Sequence, residues 1–202
     1  MDLLSVISGS AQDFKLVLDY LPAYLPQFTR LYNIMVGVSL GGHTAWRMAS
    51  LAPGQLDGFA MVVGCPNLTS LLLSRLGINP TALDTTAEEL DTVSYQRLEM
   101  VMDEQQRRRW PRALAELIRE GDRKVYEEFP AHVPLLMCNG MQDKLVPALY
   151  TASWLEKRRR RNGAKSGAKG NVKFFVQENT GHSCTKEMVA MIASWLSDMY
   201  KC

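Results

Sequence analysis

Three polar residues in this sequence stand where nucleophilic catalysis would need them. Gly37-Val38-Ser39-Leu40-Gly41 matches G-x-S-x-G. It falls between an apolar run that reads as a buried strand (Tyr32–Val38) and a segment that reads as a helix (residues 40–52). Such a serine sits on a sharp turn in a strained backbone conformation. Side chains two residues to either side are expected to collide, which favours glycine at 37 and 41. The turn lifts the hydroxyl above the sheet edge and beside the free N–H groups of a helix start. The N–H of Leu40 is thereby a candidate oxyanion donor. The plain alternative is a glycine-rich turn whose serine only caps the helix.

A serine hydroxyl is a weak nucleophile without a base. His182, in the polar loop Asn179-Thr180-Gly181-His182-Ser183, follows the last predicted strand. That places it at the same sheet edge as Ser39. His43 lies four residues into the helix after Ser39, where local packing is expected, and His132 precedes a strand, at the opposite edge. The base needs an orienting carboxylate. Asp143 follows the third predicted strand in Asn139-Gly140-Met141-Gln142-Asp143. Alone it reads equally well as a turn-forming aspartate. Three such residues on loops after three different strands are harder to explain by chance.

The elements that must position them alternate. Four short apolar runs read as strands: 32–38, 59–63, 133–138 and 172–177. Helical patterns occupy 10–29 (capped by Ser10 or Asp13 and broken by Pro22 and Pro26), 40–52, 147–160 and 185–200. Residues 67–130 carry no convincing strand and read as a helical insertion, with Thr86 and Glu89 as a capping box. Alternating strands and helices imply an α/β fold: a three-layer sandwich around a mostly parallel sheet. The expected division is a core of 1–66 and 131–202 with a helical cap or lid at 67–130.

Composition narrows the class. The chain has 202 residues, 47% hydrophobic and 22% charged, which fits one globular domain and argues against disorder. No run approaches a membrane span, and no signal peptide is read at the start. Cys65, Cys138, Cys184 and Cys202 are widely spaced. They imply neither a zinc site nor a disulfide framework, and mildly favour a reducing, cytoplasmic setting. No phosphate loop, EF-hand or HExxH motif occurs, so no cofactor and no metal are expected. The formal net charge is +2. Residues 157–169 nevertheless carry seven basic and no acidic side chains, so the remainder is acidic. A solvated loop is the favoured reading of this run over a nucleic-acid patch, because no aromatic residues interleave it.

The segments GVSLGGHTA around Ser39, NGMQDKLVP around Asp143 and NTGHSC around His182 together resemble the α/β-hydrolase superfamily. The order Ser, Asp, His is that superfamily's chain order. The flavour is similar to fungal hydrolases of the esterase and prolyl-oligopeptidase-like kind. The resemblance implies an acyl-enzyme formed on Ser39, proton transfer by His182 and release of an acid by water. The expected substrate is a small-molecule carboxylic ester. The alternatives are a peptidase or amidase using the same triad, or a shortened, non-catalytic interaction protein. The family places several strands before the elbow, and a loop after an early one supplies a second oxyanion donor. Here about 30 residues precede the elbow strand, they read as helical, and no HGG sequence occurs. The chain therefore resembles the C-terminal two-thirds of such an enzyme. A bare sheet edge would follow, with a homodimer through it as the expected partner.

Overall fold

The structure, a computed structural model, describes residues 3–28, 31–162 and 172–200. Its elements in chain order are α1 (Leu3–Tyr24), β1 (Ile34–Val38), α2 (Leu40–Leu51), β2 (Gly58–Val62) and α3 (Leu68–Arg75). Two 3-10 turns, Pro80–Leu83 and Ala87–Thr92, lead to α4 (Tyr95–Val101), α5 (Glu104–Arg109) and α6 (Arg112–Glu128). The chain closes with β3 (Leu135–Gly140), α7 (Ala148–Asn162), β4 (Val172–Gln177) and α8 (Lys186–Tyr200). The strands form one parallel sheet in the order β1-β2-β3-β4.

Strands β2 and β3 are buried along their whole length. That is why they read as unbroken apolar runs rather than alternating ones. On one face Phe59, Met61, Leu135 and Met137 pack against Trp46 and Met48 of α2, Val125 of α6 and Trp154 of α7. On the other face Ala60, Val62, Leu136 and Cys138 pack against Met188 and Trp195 of α8. The result is the expected three-layer α/β sandwich. Because every strand runs the same way, all four C-terminal ends open onto one edge, where Ser39, Asp143 and His182 follow β1, β3 and β4.

Residues 67–130 are helical, as expected. A third cluster joins Leu68, Leu71 and Leu73 of α3 to Leu98 and Ile118, and reaches back to Ile7 of α1. The end of the segment enters the sheet's own core, through Val125 and Phe129.

Four expectations need correction. Helix α1 is already formed at Leu3, not near residue 10, because its inner face begins upstream of Ser10 with the buried Ile7 and continues one turn later with Ala11. Pro22 falls in its last turn, and the helix ends two residues later. The capping box at Thr86–Glu89 does not form. Thr86 makes no side-chain cap bond and opens a 3-10 turn, in which the Glu89 N–H returns to the Thr86 carbonyl at 3.2 Å. A capping box occurs instead at the start of α5, where Asp103 and Gln106 bond each other's backbone N–H at 2.7 and 3.0 Å.

The fourth concerns the basic run, whose Lys165 and Lys169 end lies outside the described residues. Its first part is the end of α7 and is not uniformly solvated. Arg158 is buried, donates to the Pro130 carbonyl at 3.0 Å and stacks over Phe129 and Trp154. Burial brings its pKa down to about 10. The guanidinium's weak hydration and flat shape permit this where an ammonium would stay in water. By contrast Arg107, Arg108 and Arg109 end α5, with Trp110 buried next to them.

Candidate active site

The turn between β1 and α2 is built by backbone packing. Ser39 has φ 52° and ψ −110°, a left-handed conformation that a non-glycine residue adopts only under constraint. The constraint is visible: the Ser39 N–H donates to the Val62 carbonyl at 2.9 Å, and the Ser39 carbonyl accepts from His43 at 3.0 Å. The turn is thus tied to β2 on one side and to its own helix on the other. The Ser39 hydroxyl makes no capping bond.

The glycines around it differ. A Cβ at Gly37 would lie 2.1 Å from the Gly41 carbonyl oxygen, so only glycine fits there. A Cβ at Gly41 would meet nothing within 4 Å, which overturns the expected collision at that position. The crowding falls instead on Gly42, whose Cβ would come 2.9 Å from the Cα of Gly64. Gly42 and Gly64 are where α2 and the loop after β2 approach backbone to backbone.

The Ser39 hydroxyl lies 2.7 Å from His182 Nε2. His182 Nδ1 lies 2.8 Å from Asp143 Oδ2. The other carboxylate oxygen of Asp143 accepts from the N–H groups of Leu145 and Val146, each at 2.9 Å. The Asp143 side chain is fully buried and that of His182 is 22% exposed. A buried carboxylate with both oxygens engaged cannot rotate away, so it fixes the imidazole tautomer that leaves Nε2 free to accept the serine proton. The two loops are locked together. Gln142 N–H donates to Thr180 at 2.8 Å, and a Cβ at Gly140 would lie 2.3 Å from the Gly181 carbonyl. Asn179 takes φ 51° to turn the chain toward His182.

The N–H of Leu40, at the first position of α2, has no acceptor within its helix and stands next to Ser39. It is placed to receive a developing negative charge. His43 has the local role expected of it: it is buried, and its Nδ1 accepts the Cys65 N–H at 3.1 Å. Burial lowers its pKa to about 4, so it stays neutral. Burial pushes the pKa of the Cys65 thiol well up, which disfavours its thiolate form.

Two supporting residues escaped sequence reasoning. Asp122 on α6 is buried, pairs with Arg47 of α2 at 2.7 Å and accepts the N–H groups of Leu68 and Thr69 at 3.1 and 2.7 Å. It caps α3 from 54 residues away, which no local pattern could reveal. Arg75, at the end of α3, donates to the Leu145 carbonyl at 2.5 Å, holding the loop that carries Asp143. A cavity of about 590 Å³ opens between α6 and α7, lined by Thr69, Asp122, Tyr126 and Trp154 among others; none of Ser39, Asp143 and His182 lines it. Among the described residues no cluster of His, Cys, Asp and Glu is placed to hold a metal ion. None of their helices is long and apolar enough to cross a membrane.

No protein-family model and no curated protein matches the chain. Solved structures do. TT1662 from Thermus thermophilus superposes with a TM-score of 0.60 at 18% identity, covering 95% of this chain and 63% of that one. The esterase Pf2001 of Pyrococcus furiosus gives 0.55 at 14%, covering 93% and 61%. The esterase PE8 gives 0.52 at 14%, covering 98% and 66%. The chain thus spans less than two-thirds of the length of these structures. At such identities the likeness is one of fold, and the fold is that of the α/β-hydrolases.

Proposed function

We propose that this chain is a serine hydrolase that cleaves carboxylic esters through an acyl-enzyme. The observation that carries the reading is the unbroken hydrogen-bonded series Ser39–His182–Asp143, at 2.7 and 2.8 Å, at the open edge of a parallel sheet. His182 takes the Ser39 proton as the hydroxyl attacks the ester carbonyl, then returns it to the departing alcohol. In the second half it takes a proton from water as the water oxygen attacks the acyl carbon, and gives that proton to the Ser39 oxygen as its bond to the acyl group breaks, which releases the acid. Asp143 orients the imidazole and stabilises its charged form. Leu40 N–H donates to the tetrahedral oxyanion; no second donor is assigned. Residues 67–130 form the cap in this reading, supported by the bond from Arg75 to the Asp143 loop. The esterases among the matching structures support an ester as substrate. Cys65, Cys138 and Cys184 are free, in keeping with a cytoplasmic setting.

The test is turnover of a short p-nitrophenyl ester and mass labelling by a fluorophosphonate, on the wild type and on Ser39→Ala. Hydrolysis and a single adduct, both lost in the variant, are expected. Undiminished hydrolysis by Ser39→Ala would remove the assignment. Comparing an ester with its matching anilide separates esterase from amidase or peptidase activity. A folded wild type with neither adduct nor turnover would favour a non-catalytic protein.

A further inference from the structure

Among the described residues nine buried side-chain nitrogen and oxygen atoms have no hydrogen-bond partner in the protein, and three of the nine belong to residues around one cavity. They are the Thr69 hydroxyl, the Trp154 indole nitrogen and Arg119 Nε. Thr69 is fully buried and Trp154 is 5% exposed. A buried donor left unmet is costly, so three of them about one space call for a partner from outside the chain.

The space is the cavity of about 590 Å³ between α6 and α7. Its walls are two helix faces. Glu116, Arg119, Glu120 and Arg123 recur at helical spacing on α6, with Tyr126 next along the same face, and Ser153, Trp154 and Lys157 do so on α7. The loop after β2 and the start of α3 add Pro66 and Thr69. No residue before Pro66 lines it. Its volume falls within the range of small-molecule sites, about 300–1,000 Å³.

The chemistry of the lining selects the ligand. The charges around the cavity cancel. Asp122 pairs with Arg47 at 2.7 Å, Glu120 with Arg123 at 2.7 Å and Asp91 with Lys157 at 3.8 Å. Glu116 and Arg119 remain, one of each sign, and attract each other. A charged ligand would therefore find no counter-charge to spare. Trp154 and Arg119 only donate hydrogen bonds, and the Thr69 hydroxyl is free to donate as well. The ligand must supply acceptors. Pro66 and the rings of Tyr126 and Trp154 are apolar and suit a flat ring.

We propose that this cavity is a binding site, separate from Ser39, for a neutral aromatic molecule that carries a carbonyl oxygen. The ring lies against Tyr126 and Trp154, and the oxygen accepts from the unmet donors in place of water.

The test uses three probes with one naphthalene ring substituted at the same carbon: naphthamide, naphthoate and naphthylmethylammonium. Saturation-transfer NMR titrations at millimolar probe compare the wild type with Thr69→Val and Ser153→Trp. Thr69→Val removes the unmet hydroxyl while keeping its shape, so the free protein loses no hydrogen bond. Ser153→Trp fills the space from a half-buried position on α7. The wild type is expected to bind the amide more tightly than either ion. Thr69→Val should weaken that binding roughly five- to tenfold, the worth of one hydrogen bond. Ser153→Trp should abolish it, with circular dichroism unchanged in both variants. No transfer to the amide from a folded wild type, with water alone serving the three donors, would overturn the proposal. So would an ion bound as tightly as the amide, or amide binding that either variant leaves unchanged. Binding is read without turnover, so failure of the ester-hydrolase reading leaves this test standing.

Discussion

Alanine at Gly37 and alanine at Gly41 are predicted to have opposite effects, although both positions belong to one five-residue motif. At Gly37 the new Cβ would stand 2.1 Å from a main-chain oxygen, well over 1 Å inside ordinary van der Waals contact. The oxygen belongs to the first turn of α2, so relief requires β1 and α2 to separate. Overpacking of this kind costs about 1–3 kcal/mol and more when backbone must move. For a chain of this size 1 kcal/mol corresponds to roughly 2–4 °C in Tm, so with the cost at the upper end, about 3 kcal/mol, because backbone must move, Gly37→Ala should melt about 6–12 °C lower. At Gly41 the Cβ enters open space and φ is not in the left-handed region. Replacing glycine within a helix then gains up to about 1 kcal/mol, or roughly 2–4 °C upward. Thermal unfolding followed by circular dichroism reads both shifts, and fluorophosphonate labelling reads whether Ser39 keeps its position. Labelling should vanish in Gly37→Ala and persist in Gly41→Ala. Equal losses of stability in the two variants would refute the reasoning, since the motif rather than the measured space would then set the cost.

Asp143→Asn keeps an oxygen for the Leu145 and Val146 N–H groups but turns an amide N–H toward His182, favouring the wrong tautomer. Ester turnover should fall by about 10⁴ with the fold intact, as read by steady-state rates beside a melting curve. Asp122→Ala leaves Arg47 buried without its partner and strips two N–H groups at the start of α3. Urea unfolding should show a loss of about 3–5 kcal/mol. His43 has a pKa near 4 when folded and 6.5 when unfolded. The unfolded chain therefore binds more protons between those values, and stability is lost as pH falls through this window. The loss is at most about 3 kcal/mol. His43→Gln, compared with the wild type in urea at pH 7 and pH 4.5, should show a correspondingly shallower pH dependence; an identical slope in the two proteins would exclude His43 as its source.

Much of the site was legible in the sequence because its parts are local. A strand shows as a short apolar run, a helix start as the residues after a glycine-rich turn, and a parallel sheet as their alternation. Those facts place Ser39, Asp143 and His182 at one edge before any coordinate is known. The distances of 2.7 and 2.8 Å between them are tertiary facts, since they depend on Gly140 abutting Gly181 and on Gln142 bonding Thr180. The same holds for what lay outside the motifs. Asp122 looks like any charge on an amphipathic helix, and only packing brings it to α3. Arg158 looks like one of four solvated arginines, and only the Phe129 and Trp154 rings bury it. Gly41 and Gly42 are indistinguishable neighbours until Gly64 arrives beside one of them. Periodicity and turn chemistry act over a few residues and leave their mark in order and spacing. Close approach, burial and the pairing of distant charges arise only when separate elements meet, and no short stretch of sequence records which neighbours those will be.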